Sequence, residues 1–220
     1  MTLKNIINSK TLFLDFDGVI KESVELKGSA FEQLFLPYGK KIAKRVKAHH
    51  ESHGGMSRHE KLPIYLDWAG LVVKNSMLEE YSWQFSELVK QKVIDSDWVP
   101  GVEKFLHTNP FNQTFYIITA TPQSEIDQIL DAIGLRGFFA GIIGSPTSKK
   151  DAIYQLIELH NIETKLSAMI GDSISDYQAA FENRIPFVLR KTNLNQSLQN
   201  QLKCAMINDF LNLNKELSGG

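Results

Sequence analysis

The strongest constraint on the fold is a repeated alternation. Short apolar runs, each ending in small or polar residues, lie at residues 12–14, 115–118, 141–143 and 168–170, with a fifth at 186–189. Runs of this length without polar interruption read as strands buried on both faces. The stretch 122–133 follows Thr121 as an N-cap and carries Ile126, Ile129, Leu130 and Ile133 on one helical face. Residues 149–160 follow Ser148 in the same manner, with Ile153, Leu156, Ile157 and His160 at helical spacing. Strands alternating with helices of this length predict an α/β fold with a doubly wound parallel sheet.

The segment 21–97 departs from that alternation and reads as helix throughout. Ala30, Phe31, Leu34 and Phe35 form one apolar stripe, Ile42 and Val46 another, and Leu78, Tyr81, Phe85, Leu88 and Val89 a third. Ser57 with Glu60 and Ser76 with Glu79 match the capping-box spacing, which places two helix starts. Pro63 falls within the turns that Ser57 initiates, so that helix is expected to be short or kinked. Pro100-Gly101 marks a return to the main domain. The expected organisation is a core domain of residues 1–20 and 98–220, interrupted by a helical domain of residues 21–97 placed directly after the first strand.

Composition bounds the partners. With 24 Lys and Arg against 25 Asp and Glu, the net charge of −1 offers no general attraction for nucleic acid or anionic membrane. No apolar run approaches the roughly 20 residues that a membrane-spanning helix needs. The single Cys204 cannot form an internal disulfide, and residues 1–10 lack the basic start and apolar stretch of a signal peptide. The expectation is a cytoplasmic monomer or homodimer without nucleic-acid or membrane partners.

In open parallel sheets, ligands bind beyond the carboxyl ends of the strands. The first strand ends in Asp15 and Asp17, the second in Thr119, and the fourth in Gly171-Asp172, with Asp176 four residues on; Lys149 opens the helix after the third. Acids, a hydroxyl and a cation scattered from Asp15 to Asp176 thus converge. That inventory fits phosphoryl transfer through an aspartyl phosphate. A carboxylate attacking a phosphate dianion needs a lysine and a divalent cation to offset like-charge repulsion, and Mg2+ prefers such oxygen ligands.

Asp15-Phe16-Asp17-Gly18-Val19-Ile20, Ile118-Thr119, Lys149 and Gly171-Asp172-Ser173-Ile174-Ser175-Asp176 resemble, in order, the four motifs of the haloacid dehalogenase-like hydrolase superfamily. The resemblance covers residues 11–190, and the family's helical cap after its first motif matches the helical segment inferred above. It implies that Asp15 is the nucleophile and Asp17 the acid/base, whose backbone carbonyl also ligates Mg2+. It further implies that Thr119 bonds a phosphoryl oxygen, that Lys149 bridges phosphate and nucleophile, and that Asp172 ligates the metal. Asp176 would support the metal's waters or Lys149. Lys150 competes with Lys149 for the lysine role.

Gly55-Met56-Ser57-Arg58 is similar to the cap specificity loop of the β-phosphoglucomutase branch, which makes Arg58 a candidate reader of a distal anion. Lys61, three residues on, could share its helical face. A surface charge pair of Arg58 with Glu60 is the competing reading. Lys27 stands where that branch places a cap residue facing the site, and Ala120 stands beside Thr119 as a further substrate-contacting position. His49 and His53 have the spacing of a helical metal pair, but without His-Glu-x-x-His or a supporting cysteine they read as a solvated helix end.

The implied activity is a magnesium-dependent phosphatase acting on a small phosphate ester, a sugar phosphate or phosphorylated sugar acid. A phosphomutase is the alternative within the family, although Ala120-Thr121-Pro122-Gln123 lacks the lysine that mutases carry there. A dehalogenase would lack Asp17. A phosphoacceptor signalling domain uses similar parts, but without a helical segment between Asp15 and Thr119.

Overall fold

The structure, a computed structural model, describes residues 2–215; Met1 and residues 216–220, the two ends of the expected core domain, lie outside it. After α1 (Thr2–Ile7) comes β1 (Thr11–Leu14), and the chain then leaves the sheet for α2 (Val24–Phe35), α3 (Lys40–Ser52), α4 (Arg58–Trp68) and α5 (Asn75–Asp95). It returns through α6 (Val102–Thr108) to β2 (Thr114–Pro122), α7 (Gln123–Ala132), β3 (Gly141–Ser145), α8 (Lys149–His160), β4 (Ser167–Gly171) and α9 (Ile174–Glu182). β5 (Phe187–Arg190), α10 (Gln196–Gln201), β6 (Ala205–Ile207) and α11 (Leu211–Lys215) complete the described chain.

The strands form one sheet in the order β3-β2-β1-β4-β5-β6, and every pair is parallel. Alternate side chains explain why helices cover both faces. Leu12, Leu14, Phe115, Ile117, Ala168 and Ile170 enter one apolar cluster with Phe105, Ile126 and Ile129. Phe13, Tyr116, Ile118, Met169 and Leu189 enter the other, with Ile153, Leu156 and Ala180. The expected doubly wound parallel sheet is therefore present, with a sixth strand, β6, that the sequence did not signal.

The helices between β1 and β2 bury their own stripes. Phe31 of α2 stacks on Phe85 of α5 with centroids 3.8 Å apart, and Val46, Leu62, Tyr65, Leu66 and Val89 close around them. Two of the four expected helix caps are corrected, while Ser148 caps α8 by accepting from Asp151 N–H. Thr121 remains in β2 and does not cap α7, while α5 starts at Asn75 after Lys74, without a side-chain cap from Ser76. The Ser57–Glu60 capping box forms, and α4 runs unbroken through Pro63. Trp83 is 63% exposed and takes no part in the buried cluster.

The two chain crossings that join these helices to the sheet lie side by side. The Glu22 N–H donates to the Asp97 carbonyl at 2.9 Å and the Val99 N–H to the Ile20 carbonyl at 3.0 Å. Lys21, buried, sits over the Trp98 ring at 4.2 Å.

Candidate active site

Beyond β1 the chain makes a tight loop in which the N–H groups of Val19, Ile20 and Lys21 all point to the Phe16 carbonyl. Gly18 has φ +73, and a Cβ there would lie 2.4 Å from Asp172 Oδ2, so only glycine lets this loop approach the end of β4. The loop sends Asp15 and Asp17 to different partners. Phe16 N–H donates to Asp15 Oδ1 at 2.7 Å, while Lys149 Nζ lies 2.7 Å from Asp15 Oδ2 and 2.7 Å from Asp176 Oδ1. Lys150 instead points outward to Glu182, which decides between the two lysines as neighbours of Asp15.

Asp17 has a separate set of donors. Ser23 Oγ donates to its Oδ1 at 2.5 Å, and Lys27 Nζ and Thr121 Oγ1 to its Oδ2 at 2.5 and 3.2 Å. Burial alone would raise this carboxyl, but Lys27, Ser23 and Thr121 together bring it below the usual range. Asp15 shows the opposite balance. Burial and the nearby Asp176 push it up to about 7 against the pull of Lys149, and burial with Asp15 raises Asp172 well above the carboxylate range.

Asp176 is fully buried with both oxygens occupied, Oδ1 by Lys149 and Oδ2 by Ser173 N–H and Oγ at the start of α9. Asp172 differs: its backbone carbonyl accepts from Asn195 Nδ2 at 2.7 Å, yet its buried carboxylate receives no hydrogen bond from any described residue. Carboxylate oxygens of Asp15, Asp172 and Asp176 lie within 4.8 Å of one another. A hydrogen-bond-free buried carboxylate beside two others is an all-oxygen donor set suited to a hard divalent cation. The residues present therefore fit the magnesium that the motifs imply.

Thr119 is buried, and its Oγ1 accepts from Thr121 N–H at 3.2 Å, which leaves its own hydroxyl hydrogen to donate. The β2–β3 register shifts between Ile118 and Pro122, an irregularity that turns Ala120 and Thr121 toward the site. Ala120 and Thr121 line the cavity with Asp15, Asp17, Lys27, Lys149 and Asp172; Thr119, just before them in β2, is buried and is not among the lining residues.

The inserted helices supply the opposite wall, including Phe31, His50, Arg58, Lys61 and Phe85. The cavity between the two walls is about 60 Å³. Gly55, at φ +80, packs so tightly on the start of α9 that a Cβ would fall 1.9 Å from Ser175 Oγ. Arg58 is not the surface partner of Glu60 that one reading expected. Glu60 caps its own helix at Ser57, and Arg58 is buried, with Nη2 2.7 Å from Glu125 Oε1 of α7 and Nη1 donating to the Ser82 carbonyl and Ser86 Oγ.

Lys61 is 1% exposed, and its Nζ donates to His50 Nδ1 at 3.1 Å. Burial, with Lys27 nearby, lowers its pKa to about 7, and burial with Lys61 beside it lowers His50 well below the imidazole range. Sequence reasoning missed Ser23, His50, Thr121, Glu125 and Asn195. Thr121 carried a signal, because it stands two residues from Thr119 on the same strand face. His49 and His53 stack on each other away from the cavity, whereas the histidine between them faces it.

No curated protein sequence matches the chain. Among solved structures, a predicted phosphatase from Clostridium acetobutylicum is similar at 18% identity and TM-score 0.73, covering 96% of this chain and 98% of that one. A predicted phosphoglycolate phosphatase from Haemophilus somnus 129pt is similar at 17% identity and TM-score 0.71, with 96% and 98% covered. CbbY from Rhodobacter sphaeroides, solved in complex with phosphate, is similar at 15% identity and TM-score 0.71, with 93% and 96% covered. At these identities the likeness establishes the fold. The family model described as haloacid dehalogenase-like hydrolase matches residues 12–189, and with this match across most of its length the chain belongs to the haloacid dehalogenase-like hydrolases.

Proposed function

We propose that the protein is a magnesium-dependent phosphatase that hydrolyses a small phosphorylated metabolite, a sugar phosphate or phosphorylated sugar acid, through an aspartyl phosphate. The observation that carries this reading is the separation of two acids one residue apart: Asp15 faces Lys149, while Asp17 is matched independently by Lys27, Ser23 and Thr121. That separation supports attack by one carboxylate and proton transfer by the other. The phosphatase names of the fold relatives support it, as does the phosphate complex of one of them.

In the first half-reaction an Asp15 oxygen bonds to phosphorus, the bond from phosphorus to the leaving oxygen breaks, and Asp17 gives that oxygen its proton. In the second half, water bonds to phosphorus and passes a proton to Asp17 as the Asp15–phosphorus bond breaks and releases inorganic phosphate. Lys149 holds Asp15 and offsets phosphoryl charge, and Thr119 donates its hydroxyl to a phosphoryl oxygen. A divalent cation, when bound by Asp15, Asp172 and the Asp17 carbonyl with Asp176 behind, supplies further charge neutralisation. Lys27 and Thr121 both bond Asp17 Oδ2 and favour its carboxylate form, the form that accepts the proton from water. Helices α2–α5 serve as a cap that shields the acyl phosphate side of the site, and Ala120 forms its floor.

Phosphate release from a panel of sugar, sugar-acid and nucleotide monophosphates with Mg2+ tests the proposal. Turnover is expected on the smallest esters. Release from none of them, with a stable phosphoprotein after acetyl phosphate treatment, would replace the hydrolase reading by a phosphoacceptor one.

A further inference from the structure

We infer that Asn195 is a positioning residue for the metal site: it fixes the peptide that follows Asp172 and so sets where the Asp172 carboxylate points. The inference rests on the proposed reading of Asp172 as a metal ligand and goes beyond it, to what holds that ligand in place. Its starting point is a carboxylate with nothing to orient it. The Asp172 side chain is buried and receives no hydrogen bond from any described residue, so its direction is set by the backbone that carries it. That backbone is gripped at both ends of one peptide plane. The Asp172 carbonyl accepts from Asn195 Nδ2 at 2.7 Å, and the Ser173 N–H of the same plane donates to Asp176 Oδ2 at 3.1 Å. Because the peptide unit is planar, these two bonds together fix the torsion between the Asp172 Cα and its carbonyl.

Asn195 has no freedom to do otherwise. It is buried in the loop after β5, and every hydrogen-bonding valence of its amide is filled. Nδ2 donates to the Asp172 carbonyl and to the Arg190 carbonyl at 2.8 Å, while Oδ1 accepts from Thr192 N–H at 2.9 Å and from Gln199 Nε2 at 2.8 Å. Turned over, the amide would set its oxygen against two carbonyls, so the network admits one orientation. Asp172 and Arg190 each stand one residue beyond Gly171 and Leu189, the last paired positions of β4 and β5. Asn195 therefore clamps two adjacent strand ends where their ladder stops, and one of those ends bears Asp172.

The same bonding also occurs far from the site, which separates positioning from simple bracing. Gln113 is buried, and its Nε2 donates to the Ile6 and Ser9 carbonyls at 2.6 and 2.7 Å. It directly precedes β2, at the opposite end of the parallel sheet from Asp172. Loss of either amide leaves two carbonyls without their side-chain donor and costs stability. Only the loss of Asn195 frees the peptide at Asp172. Groups that orient a metal ligand without touching the metal typically alter its affinity by about 10–100-fold, whereas a remote brace has no route to it.

Calorimetric titration of the substrate-free protein with Mg2+ is the test, run on wild type, Asp172→Ala, Asn195→Ala and Gln113→Ala. Asn195→Ala is expected to weaken Mg2+ binding about tenfold or more, while Gln113→Ala lowers the melting temperature and keeps Mg2+ affinity within about twofold of wild type. In turnover, the Mg2+ concentration that gives half the maximal rate should rise in Asn195→Ala by a similar factor, and excess Mg2+ should recover most of the lost rate. Unchanged Mg2+ affinity in Asn195→Ala, with the metal lost in Asp172→Ala, overturns the inference and leaves the metal reading standing. An equal loss in Gln113→Ala also overturns it, because loosening alone would then suffice. Mg2+ binding that is absent from wild type, or undiminished in Asp172→Ala, refutes the metal reading and the inference with it. Should Asn195→Ala fail to fold, Gln199→Met decides: it removes only the amide that orients Asn195 from outside, and Mg2+ binding weaker by about threefold or more upholds the inference, while an unchanged affinity overturns it.

Discussion

At the residue scale, the site is a set of individually neutralised charges with defined exceptions. Asp15→Asn is nearly isosteric but cannot attack phosphorus, so turnover should fall by about a thousandfold or more while the melting curve stays cooperative; phosphate release checks it. Asp17→Asn should cost about a hundredfold or more on alkyl phosphates and distinctly less on an activated aryl phosphate, whose leaving oxygen needs no proton. Equal losses on both esters would remove Asp17 from the acid role. Lys61 makes a prediction about stability. Its pKa falls from 10.5 to about 7 on folding, so the cost of burying the ammonium is present in full below pH 7. That cost is relieved as pH rises toward 10.5, because there the unfolded chain binds the proton that the folded one has released. Lys61→Met should therefore raise the denaturation midpoint at pH 7, by a margin that shrinks toward pH 10 in parallel denaturant titrations. The acids were visible in the sequence because Asp15, Asp17, Asp172 and Asp176 sit at the ends of recognisable strands. Glu125 and Asn195 were not, since each acts through a partner 67 or 23 residues away and nothing local marks them.

At the scale of elements, α4 is the piece that ties insertion to core. Its first residue, Arg58, reaches Glu125 of α7, and both side chains are 4% exposed. Breaking a buried pair leaves its partner uncompensated, typically about 3–5 kcal/mol. Arg58→Ala and Glu125→Gln should each lower the melting temperature, and each should reduce kcat/KM on charged and neutral esters by similar factors, because both act through the seating of the cap. A loss confined to one ester would return Arg58 to the role of substrate reader. Helix starts were only partly legible. The Ser57–Glu60 box forms because both side chains are free to turn back on α4, while α5 starts at Asn75, two residues earlier than a Ser76 cap would place it. β6 escaped notice because three residues, two of them only half-buried, give no usable periodicity.

At the scale of the whole molecule, three carboxylates converge on one buried point from elements far apart in sequence. Removing divalent cations with a chelator should abolish phosphate release, and Mg2+ should restore it. Ca2+ should inhibit, since its looser and higher coordination can take both Asp15 oxygens; initial rates in the three buffers check this. Among the described residues no helix is long and apolar enough to cross a membrane. The parallel sheet was readable from alternation because β1, β4 and β5 are buried on both faces. The closure of the insertion over the sheet was not, because it depends on packing between Gly55 and Ser175 that has no one-dimensional signature.

The paired crossings at Glu22–Asp97 and Ile20–Val99 carry a consequence for how such a protein can change. Seen from the sheet, the entire excursion through α2–α5 leaves and returns at a single point, so the core experiences it as one closed loop, and the entropic cost of such a loop grows only slowly with its length. Helices can be lengthened, shortened or exchanged there while the register of the six strands is preserved. What cannot be exchanged freely are the few side chains that reach back across this seam, Ser23 and Lys27 to Asp17 and Arg58 to Glu125.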